Sequence, residues 1–245
     1  MKLSKNFQIL PKITKRQIIP EDINLGFIGG QCGSGKTFIM LQMLKSFYEQ
    51  GKKCAFISLE MSSQNLLKRF ETIYDIKKVK NPGSIVFANK DSQIEFFNFL
   101  NQHTKNNNIF DVIFIEEIDI FARRKLGIKK YKRKLLIEKF QGTKYKEPNE
   151  FISPRMLQRD RRIFLADLRA FSSRYQTQFF GSLQMHTRSP LRDSIALPRQ
   201  YMHDADLILT LKQRNHSRKS AVITCLKNRT GDVNFSVNIP LIPKK

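Results

Sequence analysis

The chain has 245 residues, a length that suits one large α/β domain. Its 44 Lys and Arg against 21 Asp and Glu leave a formal net charge of +23, which points to a polyanionic partner, either nucleic acid or an anionic membrane surface. Hydrophobic residues make up 40 % of the chain and argue against global disorder, and no apolar run reaches the roughly 18 residues of a membrane span. Three cysteines (Cys32, Cys54, Cys225) without metal-ligand spacing exclude a disulfide scaffold and a zinc module. With no signal peptide read at the N-terminus, a reducing cytoplasmic location is expected, the host cytoplasm if the chain is viral.

Residues 1–24 are polar and basic with two prolines, and read as an arm or linker. Gly26 to Gly29 predicts a short strand running into a glycine-rich turn. From Thr37 the apolar residues Met40, Leu41, Leu44 and Phe47 recur at helical spacing, and Gly51 closes that helix. Cys54 to Leu59 predicts a strand. Ser62 or Ser63 can cap the next helix, whose apolar face is Leu66, Phe70 and Tyr74. A strand over 84–88, a helix over 92–101 and an apolar strand over 112–115 follow. Residues 122–150 carry eleven Lys and Arg against three Asp and Glu and read as a basic insertion. A long helix over 154–175, a strand over 179–183 and a second basic loop over 187–203 come next. Three strands (207–211, 221–226, 233–239) close the chain. Strands alternating with helices predict a mainly parallel sheet with an antiparallel extension at its end.

Gly30-Gln31-Cys32-Gly33-Ser34-Gly35-Lys36-Thr37 matches the P-loop pattern at every fixed position, between a predicted strand and a predicted helix. Glycines let backbone N–H groups turn inward around phosphates, and the helix N-terminus adds its positive end. Lys36 is placed to reach the outer phosphates, and the Thr37 hydroxyl to join a Mg²⁺ shell. Cys32 reads as a small filler. Phosphoryl transfer also needs a carboxylate for the metal and a group to orient water. Glu60 follows one strand and Glu116 and Glu117 follow another, and ligands of parallel sheets bind at the carboxyl ends of strands.

Further segments then fall into a familiar order. Ser58-Leu59-Glu60-Met61 with Leu66 and Arg69 resembles the segment after the second strand of DnaB-like replicative helicases. Ser182-Leu183-Gln184-Met185 resembles the third motif of that family, Leu191-Arg192-Asp193-Ser194 its DNA-binding loop, and Asp204-Ala205-Asp206-Leu207 the signature entering the next strand. Lys227-Asn228-Arg229-Thr230-Gly231 resembles its Lys-x-Arg finger. The resemblance spans residues 26–239 and implies a RecA-like P-loop domain over 25–245, with no collar or primase domain ahead of it.

The resemblance also implies roles. Glu60 would be the general base, Glu116 the metal-coordinating Walker B residue, and Gln184 a sensor of the γ-phosphate. Arg69 would lie near the nucleotide base, and Lys227 and Arg229 would reach into a neighbouring subunit's site. Activity would be ATP hydrolysis with Mg²⁺ by a hexameric ring on single-stranded DNA, aided by loader or other replication proteins. The family usually carries Asp where Glu116 stands, and Glu117 beside it competes with Glu60 for the role of base. Ile195 stands where the family carries glycine. Arg123, Arg124, Lys129, Lys130, Lys132 and Arg133, just after the Walker B strand, read as a first DNA-facing loop, with a solvated basic loop as the alternative. Arg188, Arg192, Asp193, Ser194 and Arg199 read as the second. Two alternatives remain: a phage or plasmid packaging or transfer motor, which keeps the same ATPase but acts on duplex DNA, and a RecA- or KaiC-like assembly factor that uses ATP as a binding switch with little turnover.

Overall fold

A computed structural model describes residues 23–74, 82–123, 154–187, 195–196, 199–213, 220–229 and 236–240. The strands among them are β1 (Leu25–Gly30), β2 (Lys53–Ser58), β3 (Ser84–Asn89), β4 (Val112–Ile115), β5 (Gln178–Gln184), β6 (His186–Thr187), β7 (Ile195–Ala196), β8 (Leu207–Gln213), β9 (Ser220–Asn228) and β10 (Ser236–Pro240). Eight of these form one sheet in the order β10-β9-β8-β1-β5-β4-β2-β3, while β6 and β7 pair separately. From β8 across to β3 every neighbouring pair is parallel, whereas β9 and β10 pair antiparallel. The sequence expectation of a parallel sheet with an antiparallel end is met.

Six helices connect and cover these strands among the described residues: α1 (Lys36–Glu49), α2 (Ser63–Ile73), α3 (Gln93–Lys105), α4 (Ile118–Arg123), α5 (Pro154–Tyr175) and α6 (Arg199–Asp204). Apolar residues cluster on both faces of the sheet, as buried parallel strands require. One cluster packs Met40, Leu44, Leu66 and Phe70 of α1 and α2 against Phe56, Phe114 and Phe180. The other packs Phe96, Leu100, Phe164 and Leu168 of α3 and α5 against Phe27, Ile113 and Phe179. Phe96 is buried, and Phe97 and Phe99 pack against this second core.

Several boundaries differ from the sequence expectation. Ile23 is buried and Asn24 N–H donates to Asp206 Oδ2 at 3.0 Å, so these last two residues of the predicted arm belong to the packed fold. Arg123 ends α4 instead of opening a loop. The second basic loop contains the short antiparallel ladder of β6 with β7, and helix α6, which Arg199 begins. Ser62 is the residue that caps α2, accepting from Asn65 N–H at 3.3 Å. Arg124, Lys129, Lys130, Lys132, Arg133, Arg188, Arg192, Asp193 and Ser194 lie outside the described residues. No helix among the described residues is long and apolar enough to cross a membrane.

Candidate active site

The register of the sheet brings five of the predicted site residues to one end of its strands. Gly30 at the end of β1 stands opposite Gln184 at the end of β5 and Leu211 of β8. Ile115, just before Glu116, pairs with Ile57, just before Ser58. Lys36, Glu60, Glu116, Glu117 and Gln184 therefore all lie at or beyond the carboxyl ends of parallel strands, where α/β sheets bind ligands.

The loop between β1 and α1 needs its glycines for two different reasons. Gly33 and Gly35 have φ of +71° and +95°, which side chains rarely adopt. Gly30 lacks room instead: a Cβ there would stand 2.5 Å from Ser34 Oγ and 2.9 Å from the Leu211 carbonyl oxygen. Gly35 caps α1 with no side-chain hydrogen bond, so the first N–H groups of the helix keep their donors for an anion. Lys36 Nζ donates to the carbonyls of Gly30 at 3.1 Å and Gln31 at 2.9 Å, which curls it over the loop. Burial lowers its pKa below the ordinary lysine value, opposed by the charges of Glu117, Cys32, Glu116 and Glu60. Gln213, at the end of β8, donates to the Gly33 carbonyl at 2.7 Å.

Glu116 is buried, and both its oxygens are taken: the Thr37 hydroxyl donates to Oε1 and the Ser58 hydroxyl to Oε2, the latter at 2.6 Å. The structure therefore places the Thr37 hydroxyl and the carboxylate, expected from sequence to share a metal, side by side. They form an all-oxygen pair of the hard-donor kind that Mg²⁺ accepts. Glu117 has φ +55°, a left-handed conformation that is uncommon for a side-chain-bearing residue, and its N–H donates to Ser182 Oγ at 2.8 Å. Burial raises the Glu117 carboxyl pKa, and the charge of Glu60 adds to the rise while Lys36 opposes it. Glu60 and Glu117 therefore occupy one electrostatic neighbourhood with Lys36. Arg69 is exposed on α2, its guanidinium against Met61 Sδ at 3.8 Å.

Lys227 and Arg229 lie elsewhere. The β8–β9 register shifts between Ile208 and Leu209, so Leu226 is inserted as a bulge. Before the bulge the buried positions of β9 are Ala221, Ile223 and Cys225; after it the buried position is Asn228. The inserted residue thereby turns Lys227 away from the core, the re-aiming that bulges perform. Arg229 N–H donates to the Asp206 carbonyl at 2.9 Å, at the amino end of β8. Asp206 precedes Leu211 by five residues, which at roughly 3.3 Å per residue is about 16 Å of strand. Arg229 cannot reach its own phosphate loop. Ser58, Ser182, Gln213 and Asp206 were not singled out from sequence as site residues, although three of them lie within the quoted motif segments; only their hydrogen bonds reveal their part.

Comparison with known proteins places these features in a wider set. Residues 13–128 match the family model described as "ATPase: KaiC". No curated protein matches the chain. Among solved structures, one described as an ATPase domain superposes with a TM-score of 0.63 at 15 % identity, over 95 % of this chain and 85 % of that one. A DnaB-like replicative helicase, solved in a study of its interactions with primase, superposes with a TM-score of 0.61 at 14 % identity. That match covers 89 % of this chain and 56 % of the helicase. The sheet, the helices on its faces and the antiparallel end are those of the RecA-like fold. With a complete phosphate loop at the carboxyl ends of its strands, the chain has the RecA-like fold, built as the ATPase domain and the DnaB-like helicase it superposes on are, and its first half matches an ATPase family model.

Proposed function

We propose that the chain works as a DnaB-like helicase or translocase, hydrolysing ATP with Mg²⁺ in a ring, hexameric by the resemblance, that moves on single-stranded DNA during replication. The observation that carries this reading is the division of the catalytic set between two ends of one sheet. Lys36, Thr37, Glu60, Glu116, Glu117 and Gln184 gather at one end, while Arg229 leaves at the other, about 16 Å away along the strands. A closed ring, in which the Lys227–Arg229 edge of each copy meets the phosphate loop of the next, reunites them.

Within such a site the loop N–H groups and the N-terminus of α1 bind the phosphates of ATP. Lys36 exchanges the Gly30 and Gln31 carbonyls for phosphate oxygens. Thr37 and Glu116 would hold Mg²⁺, which neutralises charge building on the phosphates. Glu60 takes the proton of the attacking water, with Glu117 the competing carboxylate. Gln184 stands level with Gly30 and senses the terminal phosphate, and the basic segment carrying Arg188, Arg192, Asp193 and Ser194 begins four residues later. That segment, Arg199, and the insertion with Arg123, Arg124, Lys129, Lys130, Lys132 and Arg133 supply cations for the phosphates of a DNA strand. Arg229, with Lys227, neutralises charge on the phosphates of the adjoining copy.

ATPase rate measured with single-stranded, duplex and no DNA, at low and moderate salt, tests the proposal, with Lys36→Ala as the blank. Stimulation mainly by single strands is expected. Preference for duplex would favour a packaging or transfer motor, and indifference to DNA an ATP-switched assembly factor.

A further inference from the structure

Asp206 stands where β8 begins, its side chain only 6 % exposed. Oδ2 accepts the backbone N–H groups of Asn24 and Leu25, both at 3.0 Å. Oδ1 faces two guanidiniums, Arg229 Nη1 at 3.0 Å and Arg169 Nη2 at 3.4 Å. Arg229 is gripped twice, since its own N–H donates to the Asp206 carbonyl at 2.9 Å. Even so, its side chain remains 53 % exposed. A guanidinium carries five N–H donors in one rigid plane, so a grip on one amino group leaves the other edge presented outward.

We infer that Asp206 is a positioning residue for Arg229, holding the guanidinium in the pose from which it enters the phosphate site of a neighbouring copy. The inference rests on the ring reading above. Two features make the carboxylate suited to this task. The amides of Asn24 and Leu25 tie Oδ2 to β1, so Asp206 cannot follow the guanidinium as it is drawn outward. Three cations, Arg169, Lys227 and Arg229, also converge here. Lys227 Nζ is held by the Met202 and His203 carbonyls at 2.8 and 3.1 Å. Without the Asp206 charge, these cations repel and Arg229 samples many rotamers. With it, the ordering that a transition state demands is already in place.

Asp206→Asn keeps the shape and an oxygen for the Asn24 and Leu25 amides but removes the charge. The expected result is a fall in kcat of about tenfold or more, with KM for ATP and nucleotide affinity within about twofold. Mixed with Lys36→Ala subunits, Asp206→Asn subunits should regain activity, because the Lys36→Ala copy lends a correctly held Arg229 to an intact phosphate loop. Arg229→Ala mixed with Lys36→Ala is the control for the ring reading: no regain there overturns that reading and the inference with it. Regain in the control, with wild-type kcat in Asp206→Asn, overturns the positioning role alone. Loss of kcat that Lys36→Ala subunits do not repair, while they repair Arg229→Ala, makes Asp206 a residue of its own fold and also overturns the role. Should Asp206→Asn fail to fold, Arg229→Lys replaces it, because a single ammonium cannot hold Asp206 and reach outward together. Its kcat should then fall toward that of Arg229→Ala, and a value within about twofold of wild type overturns the inference.

Discussion

Ser58 donates its hydroxyl to Glu116 Oε2 at 2.6 Å, and Ser58 Oγ in turn accepts the backbone N–H groups of Glu60 at 3.1 Å and Met61 at 2.9 Å. One fully buried hydroxyl thus ties the carboxylate beyond β4 to the turn that carries Glu60. Ser58→Ala leaves two amides without that acceptor and removes one donor from Glu116. Loss of about 1–3 kcal/mol is expected for such unsatisfied buried groups, which lowers the melting temperature by several degrees. Mg²⁺-dependent nucleotide affinity should fall with it. Unchanged melting and affinity would show that water replaces the hydroxyl without cost.

In the proposed mechanism Glu60 and Glu117 compete for the role of general base, and their surroundings differ. Glu60 is exposed, with its backbone fixed by Ser58, while Glu117 is half-buried in a left-handed conformation fixed by Ser182. Glu60→Gln is expected to cut kcat by about 10²–10⁴ while sparing ATP binding, the range for losing general-base catalysis. Glu117→Gln should cost about tenfold or less, through the field around Lys36. Single-turnover hydrolysis of the two variants decides it, and the reverse ranking makes Glu117 the base.

The same Glu117 predicts a pH signature. Burial first, and then the charge of Glu60, raise its folded-state pKa, with Lys36 in opposition. A carboxyl with a raised folded pKa contributes stability below its unfolded pKa, and that contribution is lost as pH rises through the folded value. At neutral pH the buried charge is therefore a cost, and Glu117→Gln should melt higher than wild type. Below a pH of about 4 both carry a neutral group, and the difference should vanish. Melting curves at the two pH values check this; an offset independent of pH rules out the charge as its cause.

The phosphate loop was legible in the sequence because its constraints are local: Gly33 and Gly35 supply positive φ, and Gly30 supplies room. The strand over 112–115 and the helix over 154–175 emerge with the expected bounds, since apolar runs and helical spacing report directly on burial. Ser182, Gln213 and Asp206 were not legible as site residues in this way. Ser182 bonds a residue 65 positions away, Gln213 one 180 away and Asp206 one 181 away, and nothing in local pattern encodes such pairings. The β9 bulge at Leu226 was equally hidden, because one inserted residue changes which face a side chain takes without changing composition. Helix α6 interrupts a stretch whose basic residues had suggested a loop.

Gln213 offers a test of the loop from outside it. Its Nε2 donates to the Gly33 carbonyl at 2.7 Å, so the apex of the phosphate loop is moored to the end of β8, which runs parallel to β1. Mooring that carbonyl restrains the peptide units whose N–H groups must face the phosphates, and this lowers the ordering cost of binding. Gln213→Ala removes the donor and should weaken ATP binding by about threefold to tenfold, roughly one hydrogen bond, with little change in kcat. Gln213→Glu cannot donate when ionised, repels the carbonyl and adds negative charge beside the phosphates, so it should bind more weakly still. Titration of a fluorescent ATP analogue gives the ranking directly. Binding by Gln213→Glu as tight as wild type would mean that the loop holds its shape without this contact.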